Sequence, residues 1–413
     1  MHWRSTASWF AAIVLVAANL RPAVTSVPPL VDRLTATFGL SAIAAGALTT
    51  LPVLAMGLFA PVAPLAARRF GDSAALAVAV GLIAVGCAAR ATGGVVGLYA
   101  GTAVAGVGIA VAGALLPSLV RARVPDRIGP VTGLYTASLI GGALVAAGGT
   151  EPLRAALDVS EQAVLAVWAL PALAALVLWL ASRILDGSGR PDPADHPRSA
   201  TRPGMPWRSG AAWLGTLFMG LQSLLFYAVL AWLAADYIDL RLSAESAGLL
   251  LAVFSATQVI TALAMPIVAH RTGVIRPWIA LSVGLTVLGL LLVALVPLAA
   301  PWAWAGLLGL GMGGNLALAL TVLTHLAPTP EGAAAYMGMA FFIGYLLAAA
   351  GPVAAGALHD ATGGFTAVFL ALAALGVATL VVGTLSAGPG DRTATPAPMS
   401  GQTSQNAANG QSV

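Results

Sequence analysis

Residues 9–31 read WFAAIVLVAANLRPAVTSVPPLV, an apolar run interrupted at Asn19-Leu20-Arg21-Pro22. At ~1.5 Å per residue the run is long enough to cross a ~30 Å hydrocarbon core. Arg21 then lies roughly 18 Å from Trp9 and roughly 15 Å from Val31 by the same rise, too deep to snorkel easily to water. A full charge there costs at least ~2.5–3.5 kcal/mol. Pro22 lacks an N–H and crowds the preceding turn, so carbonyls near Ala18 lose their helical partner. The stretch reads as a fixed positive charge beside an opened backbone at mid-membrane, a binding centre for an anionic or electron-rich small molecule. The alternative is an Arg neutralised by the freed carbonyls and holding the bundle together.

Composition agrees with a polytopic membrane protein. Of 413 residues, 59% are hydrophobic and 8% charged, with a mean hydropathy of +0.92; a soluble domain carries about 25% charged residues. All 19 Lys+Arg are Arg. The net charge of +4 and pI near 9.7 do not imply a nucleic-acid partner, because most Arg fall in short connections between apolar runs, where they orient the protein. The single cysteine, Cys87, lies inside an apolar run, which leaves no disulfide framework or thiol metal site. The first run is too long for a secretory h-region and is followed by eleven more, so it reads as a retained span.

Hydropathy places twelve helices at about 9–31, 43–66, 74–92, 95–119, 129–149, 161–183, 210–233, 245–269, 277–298, 302–325, 333–356 and 365–386. The expectation is an all-α membrane protein of two six-helix halves, 1–183 and 210–386. A Pro-, Gly-, Asp- and Arg-rich cytoplasmic linker over 184–209 separates them, and a disordered cytoplasmic tail over 387–413 follows. Alternate connections receive Arg4, Arg68, Arg69, Arg121, Arg123, Arg127, Arg183, Arg190, Arg198, Arg202, Arg208, Arg271, Arg276 and Arg392. The opposite ones receive Arg33, Arg90, Arg154 and Arg241 among Asp32, Glu151, Asp158, Asp236, Asp239 and Glu245. The positive-inside rule puts the first set, and both termini, on the cytoplasmic side of a bacterial inner membrane.

Candidate chemistry is sparse. No Asp or Glu falls in a span interior, and His2, His196, His270, His325 and His359 are scattered, which argues against catalysis, a metal site or a cofactor. Arg21 and Thr25 share a helical face. Asn19 points elsewhere in a regular helix and packs, contacting a ligand only if Pro22 distorts the turn. Gln222 sits at the matching depth of the seventh span; Ser223 and Tyr227 share a face there, and Trp232 reads as an interfacial anchor. Asn315, Tyr135 and Tyr345 are further pocket candidates, since buried polar groups need partners. Arg68, Arg69 and Asp72 form the connection after the second span, and Arg90 is a gate or access charge, or an ordinary helix-end charge. His325 is a faint candidate for a proton carrier. Gly101, Gly106, Gly108 and Gly113 in the fourth span, and Gly306, Gly309, Gly311, Gly313 and Gly314 in the tenth, permit close helix approach.

These features resemble the major facilitator superfamily, and within it the cyanate and 2-nitroimidazole transporter branch. The resemblance is carried by Asn19 through Ser26, Gly108 through Pro117, Gly133 to Tyr135, Met219 through Tyr227 with Trp232, and Gly344-Tyr345 through Gly351-Pro352 to Asp360. It covers nearly the whole chain apart from linker and tail. There are departures: the acid after the second span, Asp72, follows the basic pair instead of preceding it, Gly113 stands where relatives carry Asn, and the Gly-Pro pattern of drug antiporters is absent from span five. The resemblance implies a monomeric secondary transporter in the lipid bilayer. It would move a small anionic or nitro-bearing substrate by alternating access, protons being one coupling option beside exchange and facilitated diffusion. The rival readings are a multidrug-type exporter of lipophilic compounds, which Arg21 would repel if cationic, and a non-transporting sensor or scaffold.

Overall fold

The computed structural model describes residues 2–124, 128–185, 205–327 and 330–387. Among these there is no strand, and each apolar run is helical. The first span is the broken one. Its helix His2–Ala18 stops where Pro22 withdraws a donor, residues 19–21 form a turn, and Pro22–Thr25 adds a single helical turn. Pro28–Leu30 follows as a 3₁₀ turn and Val31–Phe38 as a last helix, closed by Gly39 at φ +64°. Side chains bond back to the main chain on both sides of the break, and small residues pack against it. Asn19 Nδ2 donates to Leu15 O at 2.8 Å, Thr25 Oγ1 to Arg21 O at 3.1 Å, and the Ala18 carbonyl lies against Gly142, where any Cβ would collide.

The second span, Ala42–Phe59, begins at a Ser41 cap whose Oγ accepts from Ala44 N, and continues after Ala60-Pro61 as Val62–Phe70. Spans three to six are Asp72–Ala89, Gly94–Arg123, Ile128–Leu157, and Glu161–Val167 with Ala169–Leu185. Spans seven to twelve are Gly210–Asp239, Ala244–Thr272, Arg276–Leu295, Pro301–Leu326, Pro330–Thr362 and Phe365–Ser386. Among the described residues eleven helices are long and apolar enough to cross a membrane. Ile128–Leu157 is a further 30-residue helix packed on spans one and eight. The chain is a multi-pass, all-helical membrane protein. Residues 186–204 of the expected linker and 388–413 of the expected tail lie outside the described residues.

The first six spans meet the last six chiefly where span two lies on span eleven and span five on span eight. Small residues make these contacts close. A Cβ on Gly46 would fall 2.5 Å from Pro352 O, one on Gly248 2.7 Å from Ala147 O, and Gly356 lies directly on Ala42 O. Thr50 Oγ1 donates to Ala349 O at 2.8 Å and Trp232 Nε1 to Pro352 O at 2.8 Å. Trp232 is therefore buried in the bundle, 3% exposed, and not an interfacial anchor. These contacts cluster toward the end that carries Asp32, Asp239, His359 and Asp360, the acidic end; the opposite end carries Arg68, Arg69, Arg123, Arg271 and Arg276.

Candidate functional site

Breaking the first span turns Arg21 out of a regular helix and toward span seven. Its guanidinium carbon lies 5.3 Å from the centroid of Phe226, over the ring face. Among the described residues the side chain makes no hydrogen bond or ion pair, and it is only partly buried. An Arg neutralised by its own broken backbone would have given its donors to carbonyls; among the described residues Arg21 gives none.

An aromatic surface surrounds that charge. Phe226 packs edge-on to Tyr227 at 4.9 Å and stacks on Phe254 at 5.9 Å. Tyr227 stands edge-to-face with Tyr345 at 6.4 Å, and Tyr345 stacks on Phe341 at 5.7 Å with 9° between planes. Gly220 and Gly344 allow spans seven and eleven to approach, a Cβ on Gly220 falling 3.2 Å from Gly344 Cα. The Tyr227 hydroxyl donates to Met56 Sδ at 3.6 Å, a weak acceptor. The Tyr345 hydroxyl makes no hydrogen bond among the described residues. Guanidinium on a ring face, with hydroxyls beside it, can hold a flat electron-poor group by stacking and its oxygens by charge-assisted hydrogen bonds.

Other residues singled out in the sequence are employed differently. Asn19 is 3% exposed, and its Nδ2 also donates to Pro171 O at 3.1 Å, so it ties span one to span six. Thr25, 1% exposed, spends its hydroxyl on Arg21 O. Gln222 is buried, its amide donating to Met219 O at 3.2 Å and Ser223 Oγ at 2.7 Å within its own helix. Asn315 turns to span nine and donates to Thr286 Oγ1 at 3.0 Å, while Gly311 and Gly314 let that span close in. Tyr135 is partly buried against the main core. Arg90, expected at an edge, is fully enclosed, with Nη2 donating to Ala23 O at 2.7 Å. Arg68 and Arg69 are exposed, Arg69 lying over Phe70, whereas Asp72 is buried in the first turn of span three after Gly71 at φ +83°. His325 is exposed, Nδ1 2.8 Å from Thr321 O. Phe226, Phe254 and Phe341 went unnoticed in the sequence; the one available signal was Phe226, adjacent to Tyr227 at the depth of Arg21. Among the described residues no cluster of His, Cys, Asp and Glu could hold a metal.

Residues 212–407 match the model of the Major Facilitator Superfamily. An uncharacterized transporter of Bacillus subtilis (strain 168) is 33% identical over 379 residues, 92% of this chain and 92% of its own. The chain belongs to the major facilitator superfamily. The 2-nitroimidazole transporter of Escherichia coli (strain K12) is 35% identical over 375 residues, covering 90% of this chain and 93% of that one. The cyanate transport protein of the same organism is 32% identical over 354 residues, 86% and 90% of the two chains. The superfamily fold is also that of an inward-facing, unoccupied bacterial homolog to the human lysosomal transporter Spinster, with TM-score 0.77, 14% identity and coverage of 95% and 99%. The D-xylose-proton symporter aligns at TM-score 0.68 with 15% identity, covering 93% and 97%. At such identities the structures share the fold alone. As a member of this superfamily, on the branch of those two Escherichia coli transporters, the protein is a transporter and not an enzyme.

Proposed function

We propose that the protein moves a small, flat anionic or nitro-bearing molecule across the bacterial inner membrane by alternating access. The observation that carries this reading is the Arg21 guanidinium, unpaired among the described residues and lying 5.3 Å over Phe226, whose ring packs on Tyr227 and through it on Tyr345. A half-buried cation without a protein counter-charge is stabilised by an anionic guest, and the aromatic faces suit a planar one. The same charge disfavours lipophilic cations, the substrates of a multidrug-type exporter. The 2-nitroimidazole and cyanate transporters lend the substrate class, since both of those molecules are small, flat and electron-rich at oxygen or nitrogen. With the arginine end cytoplasmic by the positive-inside rule, the contacts between spans two and eleven close the outer side. The carrier works as a monomer, and protons are the natural coupling ion for inward movement of an anion against an interior-negative potential.

Arg21→Ala is the deciding variant. In proteoliposomes challenged with 2-nitroimidazole and cyanate it should insert and fold normally but raise KM roughly 10- to 100-fold, the worth of a hydrogen bond to a charged group. Arg21→Lys should recover little of this, because a point charge cannot reproduce the planar fork. Transport by Arg21→Ala at the unsubstituted rate and KM would remove the anion-site assignment.

A further inference from the structure

Arg90 is a buried charge that the substrate site does not use. It is 0% exposed, among the largest fully enclosed side chains of the bundle. The connection that carries it folds back on Gly93 and Gly94, at φ +70° and +61°, values that favour glycine. Gln162 Nε2 pins that turn from span six, donating to Arg90 O at 2.9 Å and Gly94 O at 2.8 Å. Span four makes room with Gly101, where a Cβ would fall 3.1 Å from Arg90 Cγ. Thus the turn, span six and span four together fix the Arg90 backbone and the root of its side chain inside the bundle.

That guanidinium makes one described hydrogen bond, Nη2 to Ala23 O at 2.7 Å, while Nε and Nη1 have no partner among the described residues. Ala23 lies in the single turn Pro22–Thr25, two residues after Arg21. The Ala23 carbonyl needs an outside donor. Val27 N, which would serve it in a continuous helix, goes to Val24 O, and Pro28 and Pro29 have no N–H to offer. An apolar side chain of similar length would fill the same space without the cost of enclosing a charge with unsatisfied donors. Packing alone gives no reason for arginine at this position.

We propose that Arg90 is a positioning residue: its bond to Ala23 O holds the Pro22–Thr25 turn, and through it fixes where Arg21 presents its guanidinium. The consequence for transport rests on the Arg21 reading, but the positioning itself does not. Both are separated by one set of variants. Cys87, the sole cysteine, is buried, so a small negatively charged methanethiosulfonate reports on an introduced thiol alone. In full-length protein, Arg21→Cys should label at a rate that shifts on the order of fivefold when Arg90→Met is added, because a segment released from its tether opens locally more often. Arg90→Lys, which keeps one donor, should restore most of the original rate. Arg90→Met should melt at the same or a higher temperature than the unsubstituted protein, a result that excludes a mere folding role.

In proteoliposomes with 2-nitroimidazole, Arg90→Met should raise KM about tenfold with the saturated rate kept, and should add nothing to Arg21→Ala. Unchanged labelling of position 21 in Arg90→Met overturns the inference, as does a melting temperature that falls with unaltered labelling. If Arg21→Ala transports normally while labelling shifts, the anion site is lost and the positioning stands. If Arg21→Ala fails while Arg90→Met labels and transports as before, only the positioning is lost.

Discussion

Tyr345, half-buried, and Asn315, buried, show how two polar side chains in one bundle come to different ends. Asn315 Nδ2 donates to Thr286 Oγ1 at 3.0 Å and Thr286 Oγ1 to Ser282 O at 3.1 Å, a chain that ties span ten to span nine and leaves Asn315 Oδ1 buried without a partner among the described residues. Tyr345 stacks its ring on Phe341 but leaves its hydroxyl without a protein partner among the described residues. A hydroxyl held beside Arg21 by ring packing is pre-positioned to bond a guest at no cost in ordering. Tyr345→Phe should therefore leave the melting temperature unchanged and raise KM roughly 3- to 10-fold, the worth of a neutral hydrogen bond. Asn315→Leu should do the reverse, lowering stability by about 1 kcal/mol while KM holds. Uptake and thermal melts on the two purified variants check the pair; a KM effect confined to Asn315→Leu would place the site elsewhere.

At the scale of elements, spans two and eleven meet through a helix end. Asp360 accepts from Ala42 N on one carboxylate oxygen and from Ile43 N on the other, both at 3.1 Å. Those are first-turn N–H groups of span two, which lack helical acceptors and sit at the positive end of the helix dipole. A carboxylate on span eleven thus caps a helix in the other set of six. Asp360→Asn keeps one acceptor and loses the charge, at about 1 kcal/mol, so the closed acidic end should lose population roughly fivefold. Spin labels on Ala36→Cys and Glu245→Cys would read this as a larger share of long distances, and an unchanged distribution would count against the capping role. The break in the first span was legible beforehand because proline's missing N–H acts within one turn of itself. The helices were legible from hydropathy for the same local reason. The roles of Gln222, Asn315 and Arg90 were not. Membrane helices are apolar all round, so no amphipathic stripe tells which flank meets the centre. Linear position likewise put Arg90 at an edge, when the turn at Gly93 and Gly94 folds it inside.

Across the whole molecule, charge is divided between the two ends more sharply than the fold requires. Arg68, Arg69, Arg123, Arg183, Arg208, Arg271 and Arg276 ring one end. At the other, Arg33 and Arg154 both reach Glu151, at 3.2 Å and 2.9 Å, while Asp32, Asp239, Asp360 and His359 line a pocket of about 380 Å³. The arginine end thus keeps a net positive charge, whereas carboxylates outnumber arginines at the acidic end. Since arginine in short connections resists translocation and acids contribute little, both termini should face the cytoplasm. This orientation sets the direction of every other argument. An anion carried inward past an interior-negative potential of 100 mV meets about 2.3 kcal/mol of opposition, whereas export would be assisted by the same amount. Alkaline phosphatase fused after Leu240 should be active in intact cells, and a fusion after Ser386 inactive, with a cytoplasmic fluorescent reporter giving the opposite pattern. The reverse result would put the arginine ring outside. The contacts between spans two and eleven would then close the cytoplasmic side, making the present form outward-facing.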